Sequence, residues 1–338
     1  TTNGSHQVVV TDKDLAGNTV SSTLNFTLDA TAPTLDQTTS AVTGDTWVVS
    51  YADMGSGFSS ELPATSNFTV TVYSNADVTK PTIVSVTSVR IDASNQQIIL
   101  TLASAVQSGD TVQVVYTPGS GTNLKDVAGN VLAATTFSAS QVINKTAPAE
   151  LLNITSMSGD SGSLGTDFIT NDGTSGKVVT GTISSALRTG EVLQVSFNGG
   201  ATWQTATTNG TSWTATDSSG HTGNWTIQGK VVSSTNINGA VATQAVLYNA
   251  TLEASPTLSL TTDSGTSGDK ITNSALITTN SLLQHSNLAN VTTRTYIVDG
   301  VSSSTYVAPT TNGSHQVVVS DKDLAGNTVS STLNFTLD

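Results

Sequence analysis

The first and last 29 residues of this chain carry almost the same sequence. TTNGSHQVVVTDKDLAGNTVSSTLNFTLD occupies 1–29 and recurs at 310–338 with one change, Thr11 to Ser320. The two copies therefore start 309 residues apart. Self-similarity at a fixed period is typical of stacked units, whose usual period is about 20–50 residues. Because this period is much longer, we expect the repeated unit to hold several domains and the chain to be one window on a longer tandem array.

The composition favours an all-β fold. Only 10% of the 338 residues are charged, against about 25% in ordinary globular domains. Thr, Val, Asn and Gly, which favour strands and turns, take their place. Leu333, Phe335 and Leu337 alternate with polar residues, as in a half-buried strand. At about 100–150 residues per domain, the chain has room for two to four domains.

Three proline-containing segments divide the chain. DATAPTLD (29–36), NKTAPAEL (144–151) and EASPTLSL (253–260) each follow a strand-like run, and X-Pro cannot lie inside a central strand. The predicted parts are a C-terminal hairpin of a truncated domain followed by three complete domains, with boundaries at 1–29, 30–146, 147–254 and 255–338. Because the linkers are short, we expect the domains to lie end to end as a rod.

The opening hairpin at 1–29 leaves two alternatives open. A two-stranded hairpin alone is marginally stable in water. Either it comes from a longer molecule, or another chain completes its sheet by strand addition.

Charge and cysteine content exclude several function classes. The net charge of −13 argues against nucleic acid and anionic membrane surfaces. There is no cysteine and therefore no disulfide framework, and no apolar run approaches the roughly 20 residues of a membrane helix. Of the acids, twenty are Asp and four are Glu. Short carboxylates in loops suit oxygen-rich cation sites.

Two segments share an acidic, glycine-rich pattern. SGDSGSLGTDFITNDG (158–173) contains Asp160 and Asp167, and TTDSGTSGDKITN (261–273) contains Asp263 and Asp269. Glycines between two carboxylates let the backbone turn tightly, so that several oxygens can face one point, as Ca²⁺ requires. The alternative is an Asx-type turn at a strand end. We favour a Ca²⁺ site in each segment.

A second acidic motif is DKDLAGN at 12–18 and 321–327, with LKDVAGN at 124–130 as an echo. In an immunoglobulin-like sandwich, the loop before the last strand lies at the N-terminal pole. The Asp-Ser-Gly loop of one domain would therefore face the Asp-x-Asp loop of the next, with terminal acids at the same joints. The further candidate ligands of Ca²⁺ are Asp12, Asp14, Asp321, Asp323, Asp29, Glu253 and Asp338.

Other chemistry has little support in the sequence. Trp203, Trp213 and Trp225 lie in one predicted domain, where a buried core is a better interpretation than a sugar-stacking platform. His221 and His285 have no patterned partners, and His6 and His315 are one position duplicated. No nucleophile elbow, phosphate loop or zinc spacing is present. We therefore expect a protein that is not an enzyme.

The acidic motifs, together with YIVDG (296–300) and VSFNGGATW (195–203), resemble bacterial immunoglobulin-like repeats of giant biofilm-associated adhesins exported by type I secretion. The domain at 30–146, which contains VQVVYTPGSGTNLKDVAGNVLAATTF (112–137), resembles the SWM repeat of the same class. The resemblance implies immunoglobulin-like β-sandwich domains joined by Ca²⁺. Its ligands would be Asp160, Asp167, Asp263 and Asp269, with the Asp pairs at 12/14 and 321/323 as candidates. The 30–146 domain departs from the pattern because it lacks the Asp-Ser-Gly motif, and Asn144 offers only a neutral oxygen at its C-terminal joint.

Together these features predict a repetitive extender segment at the bacterial cell surface, whose partners are neighbouring repeats of the same polypeptide. Any distal host-surface or glycan ligand would lie outside this segment. Two alternatives stay open: a carbohydrate-binding module centred on the tryptophan-rich domain, and a filament subunit that completes a neighbouring copy's sheet.

Overall fold

In the computed structural model, which describes residues 2–53, 57–162, 164–252, 254–282 and 290–338, almost all regular structure is β-strand. The exceptions are two short 3-10 turns, Thr65–Asn67 and Ser74–Ala76. Six of the seven sheets form three pairs along the chain, and the seventh is an isolated hairpin. The predictions of an all-β chain and of tandem β-sandwiches are confirmed.

The opening hairpin consists of β1 (Gly4–Lys13) and β2 (Thr19–Leu28), which form a two-stranded antiparallel sheet of their own. Its register runs from the Gly4–Leu28 pair to the Lys13–Thr19 pair without interruption. Four of the ten residues in each strand are β-branched, which suits a pleated backbone.

The first sandwich contains a five-stranded and a four-stranded sheet. The larger sheet has the order β11 (Ile143–Asn144), β3 (Thr34–Thr43), β4 (Thr46–Ala52), β8 (Gln97–Leu102) and β7 (Val86–Asp92), and the smaller has β10 (Thr135–Phe137), β9 (Thr111–Tyr116), β5 (Phe68–Tyr73) and β6 (Pro81–Val84). Alternate residues of both sheets share one core. Trp47 meets Phe137 edge to face across this core, with ring centroids 5.1 Å apart.

The second sandwich repeats this plan. Its larger sheet has the order β13 (Ile169–Thr170), β20 (Ala242–Tyr248), β19 (Trp225–Val232), β15 (Val192–Ser196) and β16 (Gln204–Thr205), and its smaller sheet has β12 (Leu152–Met157), β14 (Lys177–Ile183), β18 (Ser212–Asp217) and β17 (Thr207–Asn209). Gly181 makes room for the Trp213 indole, because a Cβ at Gly181 would lie 2.5 Å from its ring. Trp213 is 2% exposed.

In the described part of the third sandwich, the smaller sheet has two strands, β21 (Leu258–Leu260) and β23 (Ile277–Thr279). The larger sheet has the order β22 (Ile271–Thr272), β27 (Thr328–Leu337), β26 (Gly313–Asp323), β24 (Val291–Val298) and β25 (Val301–Ser303). The closing hairpin, β26 with β27, lies inside this sheet, and its buried face packs on Leu258, Leu260 and Ile277.

Each sandwich contains one two-residue strand that pairs in parallel with a long strand. Residues 143–144 pair with 41–42 in the first sandwich, 169–170 with 247–248 in the second, and 271–272 with 336–337 in the third. Each of these pairs joins a strand from the first half of the sandwich to one from its second half.

By packing, the chain divides into two compact units. One comprises 1–149, 187–192 and 231–239, and the other comprises 150–186, 193–230 and 240–338. Loops 187–192 and 231–239 thus group with the first sandwich, although neighbouring strands belong to sheets of the second. The predicted boundaries near residues 29, 146 and 254 stay a prediction. Within the described ranges, no helix has the length and apolar character needed to cross a membrane.

Candidate functional site: loops and strand ends

One loop structure occurs three times, at 14–18, 126–130 and 323–327, and we call these the Asp–Asn loops. In each loop the Asp carboxylate accepts two hydrogen bonds from the Asn four residues later. The backbone N–H donates at 2.7–2.8 Å and the side-chain amide at 2.7–2.8 Å. The Asp carboxylate thus closes the loop on itself.

The glycine of each Asp–Asn loop has a left-handed backbone. The φ angles of Gly17, Gly129 and Gly326 are +96°, +95° and +94°. Each glycine N–H donates to the loop's Asp carbonyl, at 3.1–3.2 Å. Residues with a side chain adopt this conformation rarely, which explains the Ala-Gly-Asn sequence at all three positions.

Next to two Asp–Asn loops lies the end of a strand from earlier in the chain. The Asn130 amide donates to the backbone carbonyl of Asp29 at 3.1 Å, and the Asn327 amide donates to that of Asn249 at 2.9 Å. At the corresponding position in the second sandwich, the Thr235 hydroxyl donates to the carbonyl of Asn144 at 2.7 Å. At three successive points of the chain, therefore, the backbone carbonyl at a strand end accepts a hydrogen bond from a side chain.

Three carboxylates meet at the first of these points. One carboxylate oxygen from each of Asp29, Asp53 and Asp126 lies within 4.8 Å of the other two. Asp126 is fully buried, and the other two are half-buried. Oδ1 of Asp53 is buried and accepts no hydrogen bond. We call this set the acid junction.

The second point contains a basic side chain instead. The Arg188 guanidinium pairs with the carboxylate of Asp110, which is 7% exposed, and donates to the side chain of Gln107 at 2.5 Å. Thr189 donates through its hydroxyl to the carbonyl of Asn75 at 3.0 Å. We call this set the arginine junction. Here the chain itself supplies the cation.

The third point contains amides, and we call it the amide junction. Asn249 donates from its side-chain amide to Oδ2 of Asp323 at 3.0 Å. Asn171 donates to the side-chain oxygen of Asn327 at 3.1 Å. Asp323 is fully buried, and both of its oxygens accept hydrogen bonds. Asn249 occupies the position that Asp29 has at the acid junction.

In both Asp-Ser-Gly segments the first Asp accepts a backbone hydrogen bond, from donors at different positions of the loop. Asp160 accepts a hydrogen bond from Phe168 N–H at 3.0 Å, and Asp263 accepts one from Gly268 N–H at 2.7 Å. In both, the other carboxylate oxygen is buried without a hydrogen-bond partner. Burial, reinforced by the charge of Asp167, raises the pKa of Asp160.

The second Asp of each segment caps a turn. Asp167 accepts from Ile169 N–H at 3.0 Å, and Asp269 accepts from Ile271 N–H at 2.9 Å. These are the Asx-type bonds of the alternative interpretation. The metal assignment of all four carboxylates stays a prediction.

The Asp-Ser-Gly loop of the second sandwich lies against the Asp–Asn loop of the third. The Ser161 hydroxyl donates to the carbonyl of Ala325 at 2.6 Å. A Cβ added to Gly162 would lie 2.2 Å from the carbonyl oxygen of Leu324. The backbones therefore touch where the sequence predicts that two such loops face each other.

The other predicted ligands are placed differently. Asp321 is fully buried and forms a two-pronged ion pair with Arg294, at 2.6 and 2.7 Å. Asp12 and Asp14 lie on the exposed opening hairpin, Asp14 closing its own Asp–Asn loop. Asp338 donates its N–H to the carbonyl of Thr272 at 3.0 Å. Glu253 lies outside the described residues, as does His285.

Burial of the tryptophans favours the core interpretation. Trp213 and Trp225 are 2% and 8% exposed, and Trp225 stacks on His221 with ring centroids 4.1 Å apart. Trp203 is half-buried under Lys230, whose Nζ lies 4.1 Å from the ring centroid. Trp203 also borders an open cavity of about 400 Å³ that His221 lines.

Asp53 and Asp126 are not among the candidate ligands that the sequence predicts. Asp126 lies in LKDVAGN, whose likeness to DKDLAGN was the available signal. Asp53 follows β4 and has no motif around it, because its proximity to Asp29 depends on the fold. Asp110 and Arg188 are 78 residues apart, and no local pattern connects them.

Several solved structures are similar to the chain at low identity. A tetra-tandem repeat from the extending region of a large adhesion protein is 18% identical, covers 99% of this chain and 82% of its own, and has a TM-score of 0.25. Fibronectin(III)-like modules of Clostridium thermocellum CbhA are 16% identical over 56% of this chain and 94% of theirs, with a TM-score of 0.31. The N-terminal part of the bacterial S-layer protein SbsC is 17% identical over 64% and 44%, with a TM-score of 0.26. Scores at this level carry no argument about function.

No curated protein sequence matches the chain. A family model matches within the first sandwich. Residues 28–121 match the SWM repeat, whose description reads "Putative flagellar system-associated repeat". This segment overlaps the one that resembles an SWM repeat by its sequence, and that prediction is confirmed for residues 28–121.

Proposed function

We propose that this chain is a non-enzymatic spacer segment of a large bacterial surface protein such as an adhesin, in which Ca²⁺ stiffens the acid junction. The observation that carries the proposal is the convergence of Asp29, Asp53 and Asp126 beside a strand end. The SWM match and the 309-residue duplication support a repetitive, structural role.

The electrostatics of the acid junction favour a cation. Two carboxylate charges 4.8 Å apart repel each other by about 3.5 kcal/mol at an effective dielectric constant of 20. Lys125, the neighbour of Asp126 in sequence, pairs with Glu61 at 2.8 Å instead. A divalent ion would offset the repulsion between the three carboxylates.

The donor set fits calcium. Ca²⁺ prefers hard oxygen ligands, and carboxylates with backbone carbonyls supply them. The buried Oδ1 of Asp53 has no hydrogen-bond partner and is available as a ligand. Bound Ca²⁺ would supply positive charge and tie the end of β2, through Asp29, to the first sandwich. Asp160 with Asp167 and Asp263 with Asp269 are proposed as further sites because each pair contains one such buried oxygen.

We propose that the protein functions outside the cell. A spacer of this kind would hold a terminal adhesion module away from the bacterial surface and support biofilm formation, with export by type I secretion. Its direct partners would be neighbouring repeats of the same polypeptide. These assignments rest on the resemblance of the acidic motifs and on the repeat match.

Calorimetric titration of the chelator-treated chain with CaCl₂ tests the proposal. We expect a binding heat and a rise in melting temperature, both reduced by Asp53→Asn. Asp36→Asn is the matched control, because Asp36 is an exposed carboxylate that caps Thr38. Small-angle scattering with and without Ca²⁺ then measures extension. The absence of both a binding heat and a change in melting temperature would refute the calcium proposal.

Carbohydrate binding is a second candidate, favoured by the cavity beside Trp203. Asn198 and Gln204 line the same cavity and offer polar groups next to an aromatic ring. A glycan array compares the unmodified chain with Trp203→Ala. Binding that this substitution abolishes would support the candidate, and equal signals for both proteins would reject it.

A further inference from the structure

The Asp-Ser-Gly loop of the second sandwich and the Asp–Asn loop of the third meet through their backbones. On one side are Ser161 and Gly162, and on the other are Leu324, Ala325 and Gly326. We call this meeting of residues 161–162 and 324–326 the loop contact. Ala325 lies in the middle of its loop and is nevertheless fully buried. Connecting loops run over the protein surface, so this burial fits a loop that another loop covers.

Two glycines make the close approach possible. A Cβ added to Gly162 would lie 2.2 Å from the carbonyl oxygen of Leu324 and 3.3 Å from its carbonyl carbon. A Cβ added to Gly326 would lie 2.8 Å from the backbone nitrogen of Gly162. These neighbours are backbone atoms, which cannot move aside as the end of a flexible side chain can. A side chain at either position would therefore push the two loops apart.

The Ser161 hydroxyl is positioned for the loop contact by its own loop. Its oxygen accepts a hydrogen bond from the N–H of Asn171 at 2.8 Å, and it donates to the carbonyl of Ala325 at 2.6 Å. The corresponding residue of the third sandwich, Ser264, accepts in the same way from the N–H of Asn273 at 2.8 Å. The bond inside the loop is thus common to both Asp-Ser-Gly segments, and the bond to Ala325 connects two sandwiches.

Amide side chains extend the loop contact. Asn171 donates to the side-chain oxygen of Asn327 at 3.1 Å. The Asn327 amide donates to the carbonyl of Asn249 at 2.9 Å, and the Asn249 amide donates to Oδ2 of Asp323 at 3.0 Å. These amides therefore connect the second sandwich to the loop of the third in one hydrogen-bond network. A satisfied network of this kind favours a single geometry.

The linker between the two sandwiches provides a second connection. Leu252 is 9% exposed and forms a small apolar cluster with Val291 and Val329 of the third sandwich. The Ser331 hydroxyl donates to the carbonyl of Pro256 at 2.5 Å. Because the loop contact lies far from the linker in sequence, the sandwiches are joined at two places. A hinge needs a few residues that absorb the rotation, and a second attachment opposes that rotation.

Neutral groups form most of the loop contact. The atoms that meet belong to a hydroxyl, to amides and to the backbone, together with Nζ of Lys322, which lies 3.5 Å from the carbonyl oxygen of Gly162. The carboxylate of Asp323 accepts hydrogen bonds at both of its oxygens. Steric fit and neutral hydrogen bonds act without calcium. In this respect the loop contact differs from the acid junction.

We propose that the loop contact holds the second and third sandwiches in one orientation without a metal ion. Gly162 and Gly326 act as positioning residues, because their lack of a side chain lets the backbones meet. The Ser161 hydroxyl fixes one loop on the other. The proposal rests neither on the spacer role nor on Ca²⁺ binding at Asp160 and Asp167, and its test is carried out in chelator.

Pulsed electron paramagnetic resonance on the full chain tests the proposal. The chain has no cysteine, so nitroxide labels on Thr243→Cys and Ser302→Cys report one distance between the second and third sandwiches. Both positions are exposed. In chelator we expect a narrow distance distribution for the labelled parent chain. Added CaCl₂ should leave the width of this distribution unchanged.

Gly162→Ala should broaden the distribution in chelator, because the added methyl group collides with the Leu324 carbonyl. The matched control is Gly265→Ala, at the same place in the Asp-Ser-Gly segment of the third sandwich. Gly265 has a left-handed φ of +83°, against +109° for Gly162, and a Cβ built on it meets no described atom within 4 Å beyond its chain neighbours. Both variants therefore introduce backbone strain, and Gly162→Ala adds the collision.

A milder pair of variants serves where Gly162→Ala does not fold. Ser161→Ala removes the hydrogen bond to Ala325 as well as the bond inside its own loop, whereas Ser264→Ala removes the corresponding bond inside its loop. We expect a broader distribution for Ser161→Ala and a parent-like distribution for Ser264→Ala. Circular dichroism checks that each variant is folded.

Two outcomes would overturn the proposal. One is a broad distribution for the parent chain in chelator, whether or not Ca²⁺ narrows it, since the loop contact would then not hold the sandwiches by itself. The other is a parent-like width for both Gly162→Ala and Ser161→Ala, since the orientation would then have another cause. Calcium binding at the acid junction is measured separately by calorimetry, so the two proposals fail independently.

Discussion

The acid junction and the amide junction differ in the residue at the strand end. Both have an Asp–Asn loop whose Asn holds the carbonyl of a preceding strand end. At that strand end the amide junction has Asn249, which donates to Asp323, and the acid junction has Asp29, which lies beside Asp126. Replacing NH₂ by O⁻ turns a donor facing an acceptor into two facing acceptors. The amide junction thus pairs an amide with its buried carboxylate, whereas the acid junction brings three carboxylates together.

The arginine junction shows a third way to accommodate a buried carboxylate. There Asp110 is buried as well, and Arg188 supplies the opposite charge. Three related points of the chain thus deal with a buried carboxylate by an amide, by a guanidinium and, as we propose, by a metal ion. Dependence on calcium should therefore differ between the junctions along one molecule.

Replacing the Asn249 amide by a carboxylate should have the largest effect on stability. Asn249→Asp removes a hydrogen bond to the fully buried Asp323 and adds a like charge. We expect a loss of about 3 kcal/mol of unfolding free energy in chelator, with part of it restored by Ca²⁺. Urea unfolding followed by circular dichroism measures both values. Equal stability of variant and parent in chelator would contradict the prediction.

Removing the Arg188 guanidinium should also destabilise the protein, and this effect should not depend on calcium. Arg188→Ala leaves Asp110 buried without its ion pair, and we expect a loss of about 2–3 kcal/mol with or without Ca²⁺. The control is Arg90→Ala, whose pair with Asp92 is exposed on the arginine side, so solvent screening should leave stability almost unchanged. A loss that Ca²⁺ reverses would show that the arginine junction binds metal too.

Replacing Asp29 by Asn should make the acid junction resemble the amide junction. Asp29→Asn places an amide near Asp126 and removes one of three carboxylates. In chelator we expect a gain of about 1 kcal/mol from relieved repulsion and a new hydrogen bond. The calcium-dependent rise in melting temperature should become smaller than in the parent. A calcium response of unchanged size would remove Asp29 from the proposed site.

The ion pair of His315 provides the smallest effect and a contrast with the junctions, since it depends on pH instead of calcium. The Asp299 carboxylate and the Thr311 carbonyl raise the pKa of His315, and the Gln316 N–H and His315 lower the pKa of Asp299. The stabilisation by His315 is complete below its unfolded pKa of about 6.5 and is lost as pH rises through the folded pKa. That by Asp299 is present above about pH 4 and is lost as pH falls through its lowered pKa.

Unfolding of His315→Gln at several pH values checks this prediction. Because the Asp299 side chain is 43% exposed, solvent screening keeps the expected loss below about 1 kcal/mol near pH 5.5. The loss should shrink towards pH 9. His6→Gln is the matched control on the opening hairpin. A loss that is constant from pH 5.5 to pH 9 would show that His315 acts through packing alone.

Local features of the fold were predictable from the sequence. Alternating residues such as Leu333, Phe335 and Leu337 indicated the buried strand, and the Gly-Asn pairs indicated tight loops. The burial of these residues was not predictable from local sequence, because the two hairpins differ in sequence only at Thr11 and Ser320 and yet differ in exposure. The closing copy is covered by Leu258, Leu260 and Ile277, which are distant in sequence from the opening copy.

The region of the candidate site could be predicted from the sequence, but the residues that come together there could not. Pattern reasoning identified the Asp–Asn loops as the chemically interesting points, yet Asp14, Asp126 and Asp323 use their carboxylates to close loops. Asp321 lies two residues before Asp323 and is bound to Arg294 instead. Alternation along β26 buries both, and only tertiary contacts decide which partner each one finds.

The short parallel pairs have a mechanical consequence. In the first sandwich, residues 143–144 lie beside 41–42, so a strand near the start of the sandwich is hydrogen-bonded to one at its end. Tension applied to the two ends of such a sandwich slides these strands along each other and loads their hydrogen bonds together. In an antiparallel hairpin pulled at its two ends, each bond is loaded and broken in turn. Residues 169–170 and 271–272 pair in the same way. Each sandwich therefore contains a short parallel strand pair whose hydrogen bonds are loaded in shear when the sandwich is stretched.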